Sequence, residues 1–288
     1  MKRYYILILL LVSSIAVLNA QDQVADKFMP KLPSEAFIGR IFDSKSINEN
    51  AYRFANVEQN PITVSFSLLA KSQTFVPSFA NMQAAIKKGI TEAGSPGQNQ
   101  SFSYIVKEVK SIVDLEINMG QKIDMIPFFG YSATPRTRKT MALVAVEQIF
   151  LSLYMDQTDD LCVNPDDLSG YDKDQLVYMN SVSFGRKAFV IIESDESFGD
   201  VKSAINYMMR KAMNESVPDD AKLEALIHNS YIRIMNLGNH EIDDSDPHNP
   251  LSGLANYMMK KVDADDFGVP VSFTACYLKD GSVFQNRF

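Results

Sequence analysis

Three histidines (His228, His240 and His248) and two cysteines (Cys162 and Cys276) are the side chains best suited to metal binding or nucleophilic chemistry. The run His240-Glu-Ile-Asp-Asp-Ser-Asp-Pro-His248 gathers imidazole and carboxylate groups in one stretch. Its fifth residue is Asp244, so it lacks the H-E-x-x-H spacing that puts two imidazoles on one helix face for zinc. The ligand order of a calcium-binding EF-hand loop is also absent. The run reads as a solvated acidic loop. Neither cysteine stands in a C-x-x-C. Widely separated in sequence, they read as buried residues, with pairing in an oxidising compartment as the second reading. No G-x-S-x-G, phosphate loop or G-x-G-x-x-G is present. The carboxylate pairs Asp166-Asp167 and Asp219-Asp220 read as helix caps and loops. No metal or cofactor is expected, and an enzyme is the least expected class.

The bulk properties narrow the remaining classes. A chain of 288 residues with 46% apolar and 22% charged residues is ordinary globular material, long enough for one large domain or two smaller ones. Its formal net charge of -7 gives no general electrostatic reason to bind nucleic acid or an anionic lipid surface. Lys2 and Arg3, then the apolar run from Tyr4, then Ala20 before Gln21, form the pattern of a signal peptide over residues 1–20. Export to the outside, or alternatively to the periplasm, is the expectation. No later run is apolar enough for a membrane helix.

Residues 21–40 read as a polar, Pro-containing lead-in. Asn60–Leu69 alternates Ile62, Val64, Phe66 and Leu68 with polar residues, the mark of a half-buried strand. Phe79–Ile90 reads as a helix capped by Ser78, and Ala93–Gln100 as a loop. Met141–Tyr154, nearly all apolar, reads as a buried helix. Asp156–Lys173 is an acidic connector, and Leu176–Glu193 a long strand. Ser197–Asn214 is a helix capped by Ser197. Ser230–Leu237 is a strand ended by Gly238-Asn239, and Leu251–Val262 a short helix. Lys279-Asp280-Gly281 turns a hairpin between Val271–Leu278 and Ser282–Gln285. The class is α+β.

Two stretches carry two periods at once. From Glu108 to Met125 the odd positions include Val109, Val113, Leu115, Ile117, Met119 and Ile123, whereas most even positions are polar or Gly. That is the alternation of a barrel strand with one face to lipid. Yet Ile112, Leu115, Met119 and Ile123 also lie at helical spacing. From Gly199 to Asn214, Val201, Ile205, Met208 and Ala212 make a helical face. Val201, Ile205, Tyr207 and Met209 make a strand face. An amphipathic helix on a soluble core explains either stretch alone. A segment helical in solution and β in a membrane explains both.

Five further stretches, in order, resemble one family. Ser181-Val-Ser-Phe-Gly-Arg-Lys-Ala-Phe-Val-Ile-Ile-Glu-Ser194 resembles the strand carrying the Y-G-R signature of the thiol-activated, cholesterol-dependent cytolysins. Glu147-Gln-Ile-Phe150 is similar to their K-Q-I-F, and Asn164-Pro-Asp-Asp-Leu168 lies in the matching connector. Ser230–Asn239 is similar to the strand that ends in a Gly-Gly pair, and Gly268–Asp280 to the P-I-S-Y-T stretch. The similarity runs from about residue 60 to the end.

The resemblance implies a twisted antiparallel β-sheet core flanked by amphipathic helical clusters, as in the cytolysins and perforin-like proteins. Residues 21–288 would form that core as two interleaved subdomains. It implies a secreted monomer that self-associates into a ring on target-membrane lipid and inserts two β-hairpins per subunit. The insertion segments would be near 107–131 and 192–214, with Val109, Val113, Leu115, Ile117, Val201, Ile205, Tyr207 and Met209 facing the membrane. Phe184, Gly185 and Arg186 form the strand motif, with Phe for the family's Tyr. Tyr231 marks the oligomerisation edge, and Gly238 with Asn239 the hinge. The family's carboxy-terminal membrane-binding β-sandwich, with its Trp-rich, Cys-containing loop, has no counterpart here, and the chain has no Trp. Direct cholesterol binding is therefore not carried over. Membrane targeting would then need a longer cytolysin-like partner, another receptor, or an aromatic tip such as Phe128-Phe129-Gly-Tyr131. The rival class is a non-lytic secreted binding or inhibitory protein on the same core.

Overall fold

The computed structural model describes residues 24–94, 103–122, 138–156, 163–213, 215–237 and 251–287. Residues 1–20, read above as a signal peptide, Cys162, most of the Ala93–Gln100 loop, residues 123–131 of the first expected insertion segment, Gly238-Asn239 and the His240–His248 run lie outside the described residues.

Ten strands occur among the described residues: β1 (Val24–Ala25), β2 (Ile41–Asp43), β3 (Ile62–Phe66), β4 (Gln73–Phe75), β5 (Ser103–Glu108), β6 (Thr140–Met155), β7 (Leu176–Ser194), β8 (Tyr231–Asn236), β9 (Val269–Tyr277) and β10 (Asn286–Arg287). Five helices accompany them: α1 (Phe79–Ala93), α2 (Ile112–Met119), α3 (Phe198–Ala212), α4 (Ala221–His228) and α5 (Ser252–Met259). Polar caps set the starts of four. Ser78, Ser111 and Ser197 each accept from the backbone N–H three residues on, and Asp220 accepts from Lys222 and Leu223. Gly94 and Gly120 end α1 and α2 in the left-handed conformation, which favours glycine.

β6 and β7 are the spine. They pair antiparallel from Thr140↔Ser194 to Tyr154↔Ser181. At one end β3 adds to β6, while β2 and β9 flank β7. At the other, β5 adds to β6 and β8 to β7, giving a distal four-stranded order β5-β6-β7-β8. The fold is therefore α+β on a large antiparallel sheet.

Met141–Tyr154 departs from expectation: it is strand, not helix. Both of its faces are covered, so the polar face that reveals a period of two is missing, and periodicity cannot separate such a run from a buried helix. Ala142, Val144 and Val146 lie under α3, and Leu143 lies under α2. The lead-in also departs from its polar reading. Phe28, Ala36, Phe37 and Ile38 are buried in the main core, and Phe28 pairs with Phe273. The Lys279–Gly281 turn is as read: Gly281 N–H donates to the Tyr277 carbonyl. Cys276 is buried and free.

Candidate functional site

Two inserts interrupt the distal sheet. Residues 109–139 connect β5 to β6, and residues 195–230 connect β7 to β8. Each insert thus joins two strands that are already antiparallel neighbours. Among the described residues, the first insert holds α2 and the second holds α3 and α4, and α2 and α3 pack on opposite faces of the sheet.

The first insert buries one side of α2. Leu115 and Met119 pack with Val109, Leu143, Phe189 and Ile191, all odd-numbered positions of one sheet face. Met29, from the segment after β1, joins this cluster. The end of α2 is tied down by polar contacts. The buried Gln121 amide donates to the Met29 carbonyl (3.0 Å) and accepts from the Tyr52 hydroxyl (3.1 Å). Asn286 donates to the Gly120 carbonyl, and Lys31 Nζ to those of Ile47 and Lys122. Sequence reasoning missed this clamp. Its one signal was Gln121, which with Ser111 breaks a mostly apolar odd-numbered row.

Burial lowers the Lys31 pKa to about 8. The unfolded chain then holds a proton that the folded chain releases as pH rises through 8, so stability rises with pH. Thermal denaturation should show the midpoint climbing between about pH 8 and 10, and Lys31→Met should flatten that climb.

The second insert covers the other face. Val201, Ala204, Ile205 and Met208 of α3 pack on Ala142, Val144, Val146, Ala188, Val190 and Ile192, with Leu226 of α4 and Leu254 of α5 beside them. Polar groups staple α3 to α4. The Tyr207 hydroxyl donates to Glu224 (2.8 Å) and accepts from the Asp220 N–H (3.0 Å), and Lys211 bridges Glu224 and Asp219.

The Phe184-Gly185-Arg186 motif lies where the sheet bends. The β6–β7 register shifts between Ile149 and Leu151, and the β7–β9 register between Ser183 and Phe184. Phe184 packs on Phe267, their rings 5.6 Å apart. Gly185 is there because a Cβ would collide with the Gln148 carbonyl and stand 3.0 Å from Ile149 Cα. Arg186 is only 2% exposed. Burial lowers its pKa, and Asp266 opposes that shift.

The structure does not gather the eight membrane-face candidates into one place. Val109 and Leu115 are buried and Ile117 half-buried on the α2 side, while Val113 is 56% exposed. Val201, Ile205, Tyr207 and Met209 are buried on the α3 side. Tyr231 opens β8 opposite Glu193, half-buried, with the Arg233 guanidinium over its ring. Among the described residues no group of three or more side chains could hold a metal ion, and no helix is long and apolar enough to cross a membrane.

A family model described as thiol-activated cytolysin matches residues 41–287. No curated protein matches the sequence. Among solved structures the chain is similar to wild type pneumolysin, at 17% identity and a TM-score of 0.70, covering 92% of this chain and 62% of that one. It is similar to listeriolysin O at 14% identity and a TM-score of 0.67, covering 92% and 60%. It is similar to a non-hemolytic pneumolysin from Streptococcus pneumoniae strain ST306 at 16% identity and a TM-score of 0.71, covering 92% and 62%. The chain thus spans about three fifths of the length of these structures.

Proposed function

The chain belongs to the thiol-activated cytolysin family, and from that membership we propose that it is a secreted pore-forming protein. In this reading it self-associates on a target membrane and converts residues 109–139 and 195–230 into two β-hairpins per subunit. A longer cytolysin-like partner supplies membrane binding. Tyr231 lies on the edge used for self-association, and Gly238 with Asn239 serves as the hinge.

One observation carries the reading. The ladders on either side of the inserts set the register that each hairpin would inherit. Glu193 pairs with Tyr231. Continuing outward pairs Ser197 with Ile227, Val201 with Leu223 and Tyr207 with Val217, so odd-numbered positions of both arms share a face. That face holds Val201, Ile205, Tyr207, Met209, Val217, Leu223, Ala225 and Ile227, with its charges Lys211, Glu215 and Asp219 gathered near the turn. The even-numbered face holds Asp200, Lys202, Asn206, Arg210, Asp220, Lys222 and Glu224, interrupted by Phe198, Ala204, Met208 and Leu226. The first hairpin continues from Glu108↔Ala142 and likewise puts Val109, Val113, Leu115, Ile117 and Met119 at odd positions. The odd residues of all four distal strands lie on one face of the sheet, the face α2 now covers. Both hairpins therefore turn their apolar rows the same way, as a barrel wall in lipid requires. Extended at about 3.3 Å per residue, each arm exceeds the roughly ten residues of a membrane-spanning strand. Pairing between subunits into a closed barrel would satisfy the backbone groups in lipid.

Ser203 and Lys202 test this directly, because both are exposed in the soluble form. With the native cysteines replaced by serine, an environment-sensitive fluorophore at Ser203→Cys should shift to the blue on liposomes and be quenched by lipid-borne quenchers. The same label at Lys202→Cys should remain water-exposed. Equal behaviour at both positions, or no shift alongside absent dye release in every mixture with longer homologues, would sink the reading.

A further inference from the structure

Arg186 is among the largest fully buried side chains of the described residues. Its guanidinium donates to the carbonyls of Met258 (3.3 Å), Lys260 and Lys261 (3.3 Å) at the end of α5. It lies over the Phe150 ring at the β6 bulge, 5.1 Å from the centroid, and over the Tyr257 ring of α5 at 5.7 Å. Asp266 approaches it at 3.7 Å and also pairs with Lys260 at 2.6 Å. Tyr257 in turn donates to the Leu237 carbonyl, just past β8, at 3.4 Å. One side chain thus joins the sheet bend to α5, and α5 to the exit of β8. A planar guanidinium spreads five donors over three nitrogens in a fixed fork, so it can hold several carbonyls at a helix C-terminus in one geometry, whereas an ammonium offers three donors from a single nitrogen. The charge also complements the helix dipole.

The next link is packing. Leu254 and Met258 of α5 share a core with Val201, Ile205 and Met208 of α3. Withdrawing α5 removes part of what holds α3 on the sheet, while α2 lies on the opposite face.

We propose that Arg186 is the positioning residue that anchors α5 to the sheet bend and so governs release of the second insert, 195–230, before the first. This rests on the pore-forming reading for its purpose, but its test does not. Hydrogen exchange by mass spectrometry on soluble full-length protein compares wild type with Arg186→Lys and Asp266→Asn. Arg186→Lys should speed exchange of α5 amides about tenfold or more, as expected when a buried charged hydrogen-bond set is broken. α3 should follow, while α2, β2 and β3 keep wild-type rates. Asp266→Asn, which removes one partly exposed partner and leaves the guanidinium, should speed α5 by a few-fold in the same pattern. Unchanged α5 exchange in Arg186→Lys, or a rise shared equally by α2 and β3, would overturn the anchor. Dye release by the same variants separates the two ideas. A selective rise in α5 exchange with no release from any vesicle leaves the anchor standing and counts against the pore. Release by wild type with unchanged α5 exchange in Arg186→Lys does the reverse.

Discussion

Val113→Lys should leave the soluble fold intact and abolish dye release from liposomes. Val113 is 56% exposed at the second position of α2, so a lysine meets water there. The cost in solution is confined to a cation near a helix N-terminus, at most about 1 kcal/mol. In the hairpin the same position belongs to the row of Val109, Leu115 and Ile117, which would face lipid. A lysine near the bilayer midplane costs about 2–4 kcal/mol per strand, and a ring repeats that cost in every subunit. Few other positions separate the two states so cleanly, since Leu115, Val201 and Ile205 are buried in the soluble form and their replacement would disturb both. The measurement pairs a urea midpoint with a leakage assay. Leakage at wild-type rate with an unchanged midpoint would remove Val113 from the lipid face and break the register argument for the first hairpin. Val113→Leu should retain leakage.

Gly185→Ala should be among the most damaging single substitutions in the chain. Its new methyl group would meet the Gln148 carbonyl and Ile149 Cα, which are backbone atoms of β6 and cannot rotate away. On the other side, the Gly185 carbonyl closely faces Gly268, itself at φ +80 in front of β9. Three strands therefore converge on one position without a side chain. Forcing them apart disturbs the β6 bulge, the Phe184–Phe267 packing and the seat of Arg186 together. A loss of about 4 kcal/mol or more is expected, the range reserved for overpacked cores and strained backbone. Urea denaturation measures it, and failure to express as soluble protein is the extreme outcome. Gly170→Ala is the control, because nothing stands within 4 Å of that position. A Gly185→Ala midpoint within 1 kcal/mol of wild type would show that the bend does not depend on this close approach.

The sequence alone determined the parts that follow local rules. Ser78 and Ser197 start helices because a hydroxyl can take an otherwise orphaned N–H, and both do so here. β7 is legible in Leu176–Glu193 from its length and alternation. The double period of 199–214 is also visible in the residues, since spacing by two and by three or four can be read from one string. The five resembling stretches named the family, and the family model matches 41–287.

Only the tertiary structure decided what depends on neighbours distant in sequence. β6 reads as a helix until α2 and α3 are seen to cover its two faces, because burial on both sides erases the polar alternation. The lead-in reads as polar until Phe28 is found against Phe273, a contact between the ends of the chain. Val113 looks equivalent to Leu115 in a row of apolar residues, yet one is exposed and the other buried, because the soluble helix turns them apart. The extent of the second insert, 195–230 with α4 included, follows from Glu193 pairing with Tyr231. Register is a relation between two strands, and no single stretch of sequence contains it. The role of Arg186 likewise depends on three carbonyls more than seventy residues further along the chain, brought to it by the bend that Gly185 permits.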